Sequence, residues 1–293
     1  MKLIPALITP EHSKLVPEEY LKGYFSSLEP RIACNSLEEL RVVGDMYNEW
    51  LTRGGCARTP FGIEGFGGIM ALTMPEADPK KLIDICPLSA FAFLEDDFYD
   101  GDLLAPNIDN SDPNLEHLEK KYRNILNQLK SKLFIELLET DEAQNRYVSA
   151  YEEWAKSSVE DDNLQVEFES LEEYMSQRLT NVSASCFWNM TPIVHDYKLG
   201  AKEISDLDCI DQLTYRMIIL INDLYSIERE WSTHAALGKP GLPFSAGFII
   251  MRTQDVSVAE AKAIIIKNFQ EMEKDWLPLR DKLVAECDPS SLL

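Results

Sequence analysis

Apolar residues recur at spacings of three and four along most of this chain, the mark of helices with one buried face. The longest such run is Leu115, Leu118, Tyr122, Ile125, Leu126, Leu129, Leu133 and Leu137. It predicts a helix of about 25 residues, close to 40 Å long. Three tetrads, Ser36-Leu-Glu-Glu39, Ser170-Leu-Glu-Glu173 and Ser257-Val-Ala-Glu260, pair a hydroxyl with a carboxylate three residues on. That spacing satisfies free N–H groups reciprocally and predicts a helix start at each. Six glycines between Gly54 and Gly68, together with Pro60, predict a loop ahead of the apolar segment 69–73. Pro87 and Pro192 fall in otherwise helical stretches and should start or kink a helix. Strand-like alternation is almost absent. No repeat and no Pro- or Ser-rich linker divides the chain, so residues 1–293 are expected to form one all-α domain. Roughly ten helices of about 10 to 25 residues would fit, and periodicity alone leaves open whether they enclose a cavity or pack solid.

Charge narrows the partners. With 28 Lys and Arg against 50 Asp and Glu, the net charge of −22 repels phosphate backbones and anionic headgroups. Nucleic-acid binding is therefore disfavoured, and a small phosphate ligand would need bridging divalent cations. No apolar run approaches the roughly 20 residues of a membrane span. The N-terminus, broken by Pro5 and Pro10, is too short and interrupted for a signal peptide, so the cytosol is the expected compartment. Six scattered cysteines without metal-ligand spacing read as reduced, mostly buried small hydrophobes.

Two constellations carry candidate chemistry. The apolar stretch Leu88-Ser-Ala-Phe-Ala-Phe-Leu94 runs into Glu95, Asp96, Asp97 and Asp100, with Gly101 as the expected helix stop. Carboxylates at a helix C-terminus oppose the dipole by about 0.3 to 1 kcal/mol each, so stability alone would place Lys or Arg there. A divalent cation at the mouth of a pocket would remove the repulsion; a solvated acidic patch is the competing reading. In the second constellation, Asn222, Ser226 and Glu230 lie four residues apart, each turned by about 40° and raised by about 6 Å from the one before. An amide, a hydroxyl and a carboxylate on one face suit Mg²⁺, which takes oxygen ligands. An amphipathic helix that happens to hold these types is the alternative.

DDxxD at Asp96 to Asp100 with NDxxSxxxE at Asn222 to Glu230 resembles a class I terpene synthase. The resemblance covers nearly the whole chain. It is strongest to the N-terminal cyclase domain of fungal bifunctional terpene synthases, on AFAFLEDDFYD at 90–100, YMSQRLTNVSASCFW at 174–188 and LINDLYSIERE at 220–230. It implies an all-α bundle around an aromatic-lined central cavity, three Mg²⁺ ions and an allylic isoprenoid diphosphate as substrate. By the same resemblance Asp96 is a bridging metal ligand, Asp97 and Asp100 hold weaker positions, and Asn222, Ser226 and Glu230 hold a further ion. Arg229 and Arg178 contact diphosphate, Arg178 just before a break in a long helix; a solvent-facing arginine is the competing view for each. Asn181 stands where relatives often carry Asp, with Val182 at the break, which leaves the coupling of diphosphate sensing to helix movement open. Phe93, one turn before Asp96, would line the cavity with Phe66, Phe187 and Trp188, their faces stabilising a carbocation, although core packing explains each aromatic equally well.

The sequence departs from the pattern at Asp288-Pro-Ser-Ser-Leu-Leu293, which lacks the paired Arg-Tyr of a final helix. The expected bundle thus lacks that helix, either because the chain is cut short or because another segment supplies it, with weakened activity. The function implied is Mg-dependent ionisation and cyclisation of a linear C20 or C25 diphosphate, with C15 also open. A chain-elongating prenyltransferase and a non-catalytic helical isoprenoid-binding protein are the alternatives. A prenyltransferase, fused or separate, and a second copy of the chain are the partners left open.

Overall fold

The computed structural model of the chain describes residues 12–52, 68–99, 142–161, 168–195, 199–236 and 241–286, and isolated helical positions at 120, 123, 124, 127, 128 and 131. The predicted 115–137 helix, the glycine-rich stretch before Gly68 and the C-terminal residues 287–293 otherwise lie outside it. Among the described residues the helices are α1 (Ser36–Thr52), α2 (Ile69–Thr73), α3 (Pro79–Tyr99), α4 (Glu142–Asp161), α5 (Leu171–Asn181), α6 (Ala184–His195), α7 (Ala201–Ala236), α8 (Ala246–Gln254) and α9 (Val258–Glu286). At 36 and 29 residues, α7 and α9 exceed the expected length. A short antiparallel ladder, β1 (Ser13–Leu15) with β2 (Arg31–Ala33), was not legible in the hydropathy pattern, because three-residue strands carry too little alternation to register. The chain divides into two compact units, one of Met1–Lys22, Glu29–Tyr147 and Asn189–Tyr197, the other of Gly23–Leu28, Val148–Trp188 and Lys198–Leu293.

In the first unit, Arg31 Nε donates to Ser13 Oγ at 2.8 Å and to Glu76 at 3.1 Å, fixing the ladder to the turn before α3. α3 opens on Asp78, whose Oδ1 accepts from the backbone N–H groups of Lys80 and Lys81, both at 3.0 Å. Pro79 follows in the first helical position, where its missing N–H costs nothing. Pro87 and Pro192 lie inside α3 and α6, so neither starts a helix. Leu82, Cys86, Leu88, Ala90 and Phe91 bury α3.

The tetrad at Ser36 does mark a helix start, but its glutamate does not close the expected box. Glu39 is buried, and its two oxygens accept from the N–H groups of Met70 and Ala71, each at 2.8 Å. α1 thus supplies the anion that caps α2, a tertiary use that local spacing cannot reveal. Burial raises the Glu39 carboxyl, and the backbone donors of Ala71, Met70 and Gly68 oppose that. Gly68 leaves room for this carboxylate, since a Cβ there would come within 2.4 Å of it.

The second unit shows how closely the other two tetrads follow the pattern. Glu173 N–H donates to Ser170 Oγ at 3.2 Å, with the Glu173 carboxylate turned to Glu169 N–H at 2.8 Å. At α9 the exchange is complete: Ser257 N–H donates to Glu260 at 2.9 Å, and Glu260 N–H to Ser257 Oγ at 3.3 Å. Tyr174, Met175, Ile219, Leu220, Leu224, Ile249, Ile250, Ala261 and Ile265 form the core that joins α5, α7, α8 and α9. A bidentate pair, Arg216 to Glu172 at 2.6 Å on both arms, ties α7 to α5 at the surface. Residues 23–28 lie along α9, where Glu273 accepts from Ser27 N–H at 2.9 Å and Phe25 meets Phe269 edge to face at 5.2 Å. Of the described cysteines, Cys86 and Cys186 are buried as expected and Cys34 and Cys209 are exposed, while Cys56 and Cys287 lie outside the described residues. The four described are free thiols.

Replacing Glu39 by Ala leaves the two buried N–H groups at the start of α2 without acceptors. At roughly 1–3 kcal/mol for each such donor, Glu39→Ala should lower unfolding free energy by a comparable amount in denaturant titration, more than Glu38→Ala on the exposed side of the same turn.

Candidate functional site

The acidic end of α3 emerges from the buried segment that the sequence predicts. Leu88, Ser89, Ala90, Phe91 and Ala92 are buried, Phe93 and Asp96 are half-buried, and Glu95 is buried. Asp97 lies in the same last turn of the helix. Asp100 and Phe66 lie outside the described residues.

In the second unit, α5 brings Arg178 to the middle of α7. The helix is capped by Ser170 and carries Glu172 and Glu173 in its first turn and Arg178 in its last, a charge order that suits the dipole. It stops at Asn181. Val182 N–H donates back to Arg178 O at 3.0 Å, and Ser183 takes a left-handed φ of 57° before α6 begins at Ala184. A non-glycine residue in that region costs about 1–2 kcal/mol, so the break is held by its surroundings. Asn181 sits at the break with its side-chain Oδ1 buried and without a hydrogen-bond partner among the described residues.

On α7, Ser226 Oγ donates to Glu230 Oε1 at 2.5 Å and lies 2.8 Å from Asn222 O, one turn earlier. Arg178 donates to Asn222 Oδ1 at 3.4 Å and stands over the Phe244 ring, 5.4 Å from its centroid. Arg178, Asn222, Ser226 and Glu230 are thus brought together. Asn222 and Arg229 are exposed, and Ser226 is buried. Burial raises the Glu230 carboxyl and the Asp223 charge adds to this, while Ser226, Ser245 and Arg178 oppose it. Glu230 Oε2 has no hydrogen-bond partner among the described residues.

Two contributors, Asp223 and Tyr174, went unread in the sequence. Asp223, wholly buried, accepts at Oδ2 from Tyr174 Oη at 2.6 Å and from Ala246 N–H at 2.7 Å. Tyr174 packs edge-on against Phe168 and Phe244, with centroids at 5.5 and 5.0 Å. The available signals were spacing and adjacency: Tyr174 is one helical turn before Arg178, and Asp223 is next to Asn222. Of the expected cavity aromatics, Phe187 and Trp188 are half-buried on α6, and Trp188 meets Tyr215 of α7 edge to face at 6.3 Å.

Residues 88–275, well over half of the chain, match the family described as terpene synthase family 2, C-terminal metal binding. The chain belongs to that family. Among curated relatives of this terpene synthase, the bifunctional sesterterpene synthase astC of Talaromyces wortmannii is 27% identical over 224 residues, 72% of this chain and 29% of the relative. Dolasta-1(15),8-diene synthase of Colletotrichum gloeosporioides is 25% identical over 236 residues, 76% and 31% of the two chains. The chain thus spans about a third of the length of these relatives. Its fold is similar to that of aristolochene synthase from Penicillium roqueforti, with a TM-score of 0.60 at 15% identity, covering 95% of this chain and 93% of that one. This supports the expected class I terpene synthase fold.

A family marked by metal binding invites a test of the oxygen donors. Among the described residues no three His, Cys, Asp or Glu side chains group as a metal site. The Asn222, Ser226 and Glu230 set holds one such residue, so its candidacy rests on donor chemistry. All three present oxygen, the preference of Mg²⁺, and the unpartnered Glu230 Oε2 is a buried acceptor that a cation would satisfy. The residues fit. None of the described helices is long and apolar enough to cross a membrane.

Trp188 has a titratable neighbour. Burial pushes the Asp211 carboxyl up to about 7, Asp208 adds to the rise, and a hydrogen bond from Trp188 opposes it. The folded chain therefore holds a proton at Asp211 that the unfolded chain releases nearer the ordinary value of 3.8, so this contribution to stability is lost as pH rises toward about 7. Asp211→Asn removes the cost of an ionised, half-buried acid. Thermal melts should show the variant more stable than the wild type at about pH 8, with the gap narrowing below about pH 7 and closing near about pH 4; an equal gap at about pH 8 and about pH 4 would contradict the assignment.

Proposed function

We propose that this chain is an Mg-dependent terpene cyclase that ionises a linear allylic isoprenoid diphosphate, C20 or C25 in length, and closes the resulting carbocation into rings. The observation that carries this reading is the joining of Arg178, Asn222, Ser226 and Glu230, with a buried carboxylate oxygen of Glu230 still unpartnered. Asn222, Ser226 and Glu230 would hold a metal ion on α7, and Asp96, with Asp97 and Asp100, is the proposed ligand set at the end of α3. Bound Mg²⁺ would supply Lewis-acid stabilisation of the negative charge on the leaving diphosphate.

The protein's own groups do the rest. Arg178 is aimed along the ligand face and donates toward diphosphate oxygens, with Asn181 at the break behind it. Arg229, exposed one residue before Glu230, adds a second guanidinium fork. As the carbon–oxygen bond breaks, its electron pair passes to the diphosphate oxygen, where preorganised donors act most strongly. Phe93, Phe66, Phe187 and Trp188 are proposed to face the hydrocarbon, because aromatic faces attract a cation without capturing it. Loss of a proton or capture of water ends the sequence. The Talaromyces relative is named a bifunctional sesterterpene synthase, which supports the C25 length; a prenyltransferase, fused or separate, is proposed as the source of the substrate. Residues 1–293 are proposed to act as one cyclase domain.

Incubation with C15, C20 and C25 allylic diphosphates and Mg²⁺ should yield cyclic hydrocarbons by mass spectrometry, with C20 or C25 preferred. Glu230→Gln and Asn222→Ala should each cut diphosphate release by about a hundredfold or more, the scale of losing a group that stabilises the transition state. Wild-type turnover in both variants would remove this motif from the mechanism. Longer linear diphosphates on adding the C5 unit would mean elongation instead.

A further inference from the structure

Asp223 is placed where an aliphatic residue would pack without difficulty. Its neighbours along α7, Leu220, Leu224 and Ile227, are buried, and Asp223 itself is fully enclosed. An ionised carboxylate withdrawn from water is retained at a cost that neighbouring donors and charge must offset. The donors here come from two other helices: the Tyr174 hydroxyl of α5 at 2.6 Å and Ala246 N–H, the first of α8, at 2.7 Å. Both go to Oδ2, and Oδ1 has no hydrogen-bond partner among the described residues. Burial raises the Asp223 carboxyl, and the Arg178 charge, the Tyr174 hydroxyl and Ala246 N–H oppose that; the same Arg178 charge acts on Glu230. Arg178 in turn reaches Asn222, the residue next to Asp223.

We propose that Asp223 is a positioning residue for the diphosphate grip, joining Tyr174 of α5 and the first turn of α8 to α7 and holding the Arg178 guanidinium at the face that carries Asn222, Ser226 and Glu230. It touches no reacting atom. Tyr174 and Arg178 are one turn apart on α5, so the hydroxyl fixes the helix rotation while the carboxylate charge fixes the guanidinium. Phe244, under Arg178 and against Tyr174, closes the other side. A group that served packing alone would change the melting temperature and leave ligand affinity per folded molecule as it was.

This inference rests on the function proposed above, and its test separates the two. The full chain, Asp223→Asn and Tyr174→Phe are compared by calorimetry with inorganic pyrophosphate in the presence of Mg²⁺, by circular dichroism, and by kcat and KM on the preferred allylic diphosphate. Asp223→Asn keeps the shape and removes the charge, so pyrophosphate affinity should fall about tenfold or more, with kcat reduced further than KM rises. Tyr174→Phe keeps the charge and should give a smaller loss, about threefold, with a native helical spectrum. A folded Asp223→Asn with affinity within about twofold of the wild type overturns the inference. Should Asp223→Asn fail to fold, Tyr174→Phe decides, and unchanged affinity and kinetics in that variant overturn it. A wild-type chain that neither binds pyrophosphate with Mg²⁺ nor turns over substrate overturns the functional reading and this inference together. A wild type that does both, matched by its variants, overturns the inference alone.

Discussion

A single buried carboxylate organises the second unit. Asp223 gives up hydration to accept from Tyr174 and from the first N–H of α8, and one side chain thereby links three helices. The link matters because each element also has an apolar reason to pack: Met175, Leu220, Leu224, Ile249 and Ile250 fill the same core. Hydrophobic burial is nondirectional and would tolerate small sliding of these helices. Hydrogen bonds at 2.6 and 2.7 Å do not, so the polar contact sets the register that the apolar contacts stabilise. It also brings a second acid, Glu230, near a first, and the Arg178 charge acts on both.

The break after α5 follows from the same arrangement. Arg178 stands in the last turn of α5, where its charge complements the helix dipole and its carbonyl accepts from Val182 N–H. Ser183 then takes a left-handed conformation that no glycine relieves. A local cost of that kind persists where neighbouring elements fix both flanks, and here Val182 and Ala184 are both buried in the core. The backbone just beyond the guanidinium is therefore strained and enclosed, while the guanidinium itself looks toward the exposed end of Asn222.

How much of this was legible depends on whether a feature is local. The helix starts at Ser170 and Ser257 lie where the tetrads put them, and the four-residue spacing of Asn222, Ser226 and Glu230 alone placed three oxygens on one face of α7. Glu39 shows the limit: its sequence neighbourhood matches a capping box, yet its oxygens serve α2, about thirty residues further on. Asp223 shows it again. Beside Asn222 it reads as one more acid in an acidic chain, and only the helix packing reveals that it is fully enclosed. Exposure of Cys34 and Cys209 likewise depends on tertiary packing, since nothing in their immediate sequence distinguishes them from buried Cys86 and Cys186.

Net charge and local charge pull in opposite directions at this site. At −22 the chain repels a diphosphate at long range, yet the α7 face that carries Asn222, Ser226 and Glu230 is met by a guanidinium. Among the described cations of the second unit, Arg216 pairs with Glu172, Lys262 with Glu228, and Arg252 with Phe168 O. Arg178 donates to the Asn222 amide oxygen at 3.4 Å and lies over the Phe244 ring, and its charge acts on Asp223 and Glu230. With Asp223 and Glu230 close by, however, one guanidinium cannot by itself make the local field attractive to a group carrying several negative charges. Divalent cations on the oxygen face would reverse the local sign, and Glu230, which repels the free diphosphate, would then hold it through the metal. The acidity of the chain thus agrees with selection for metal-loaded diphosphate over the bare anion.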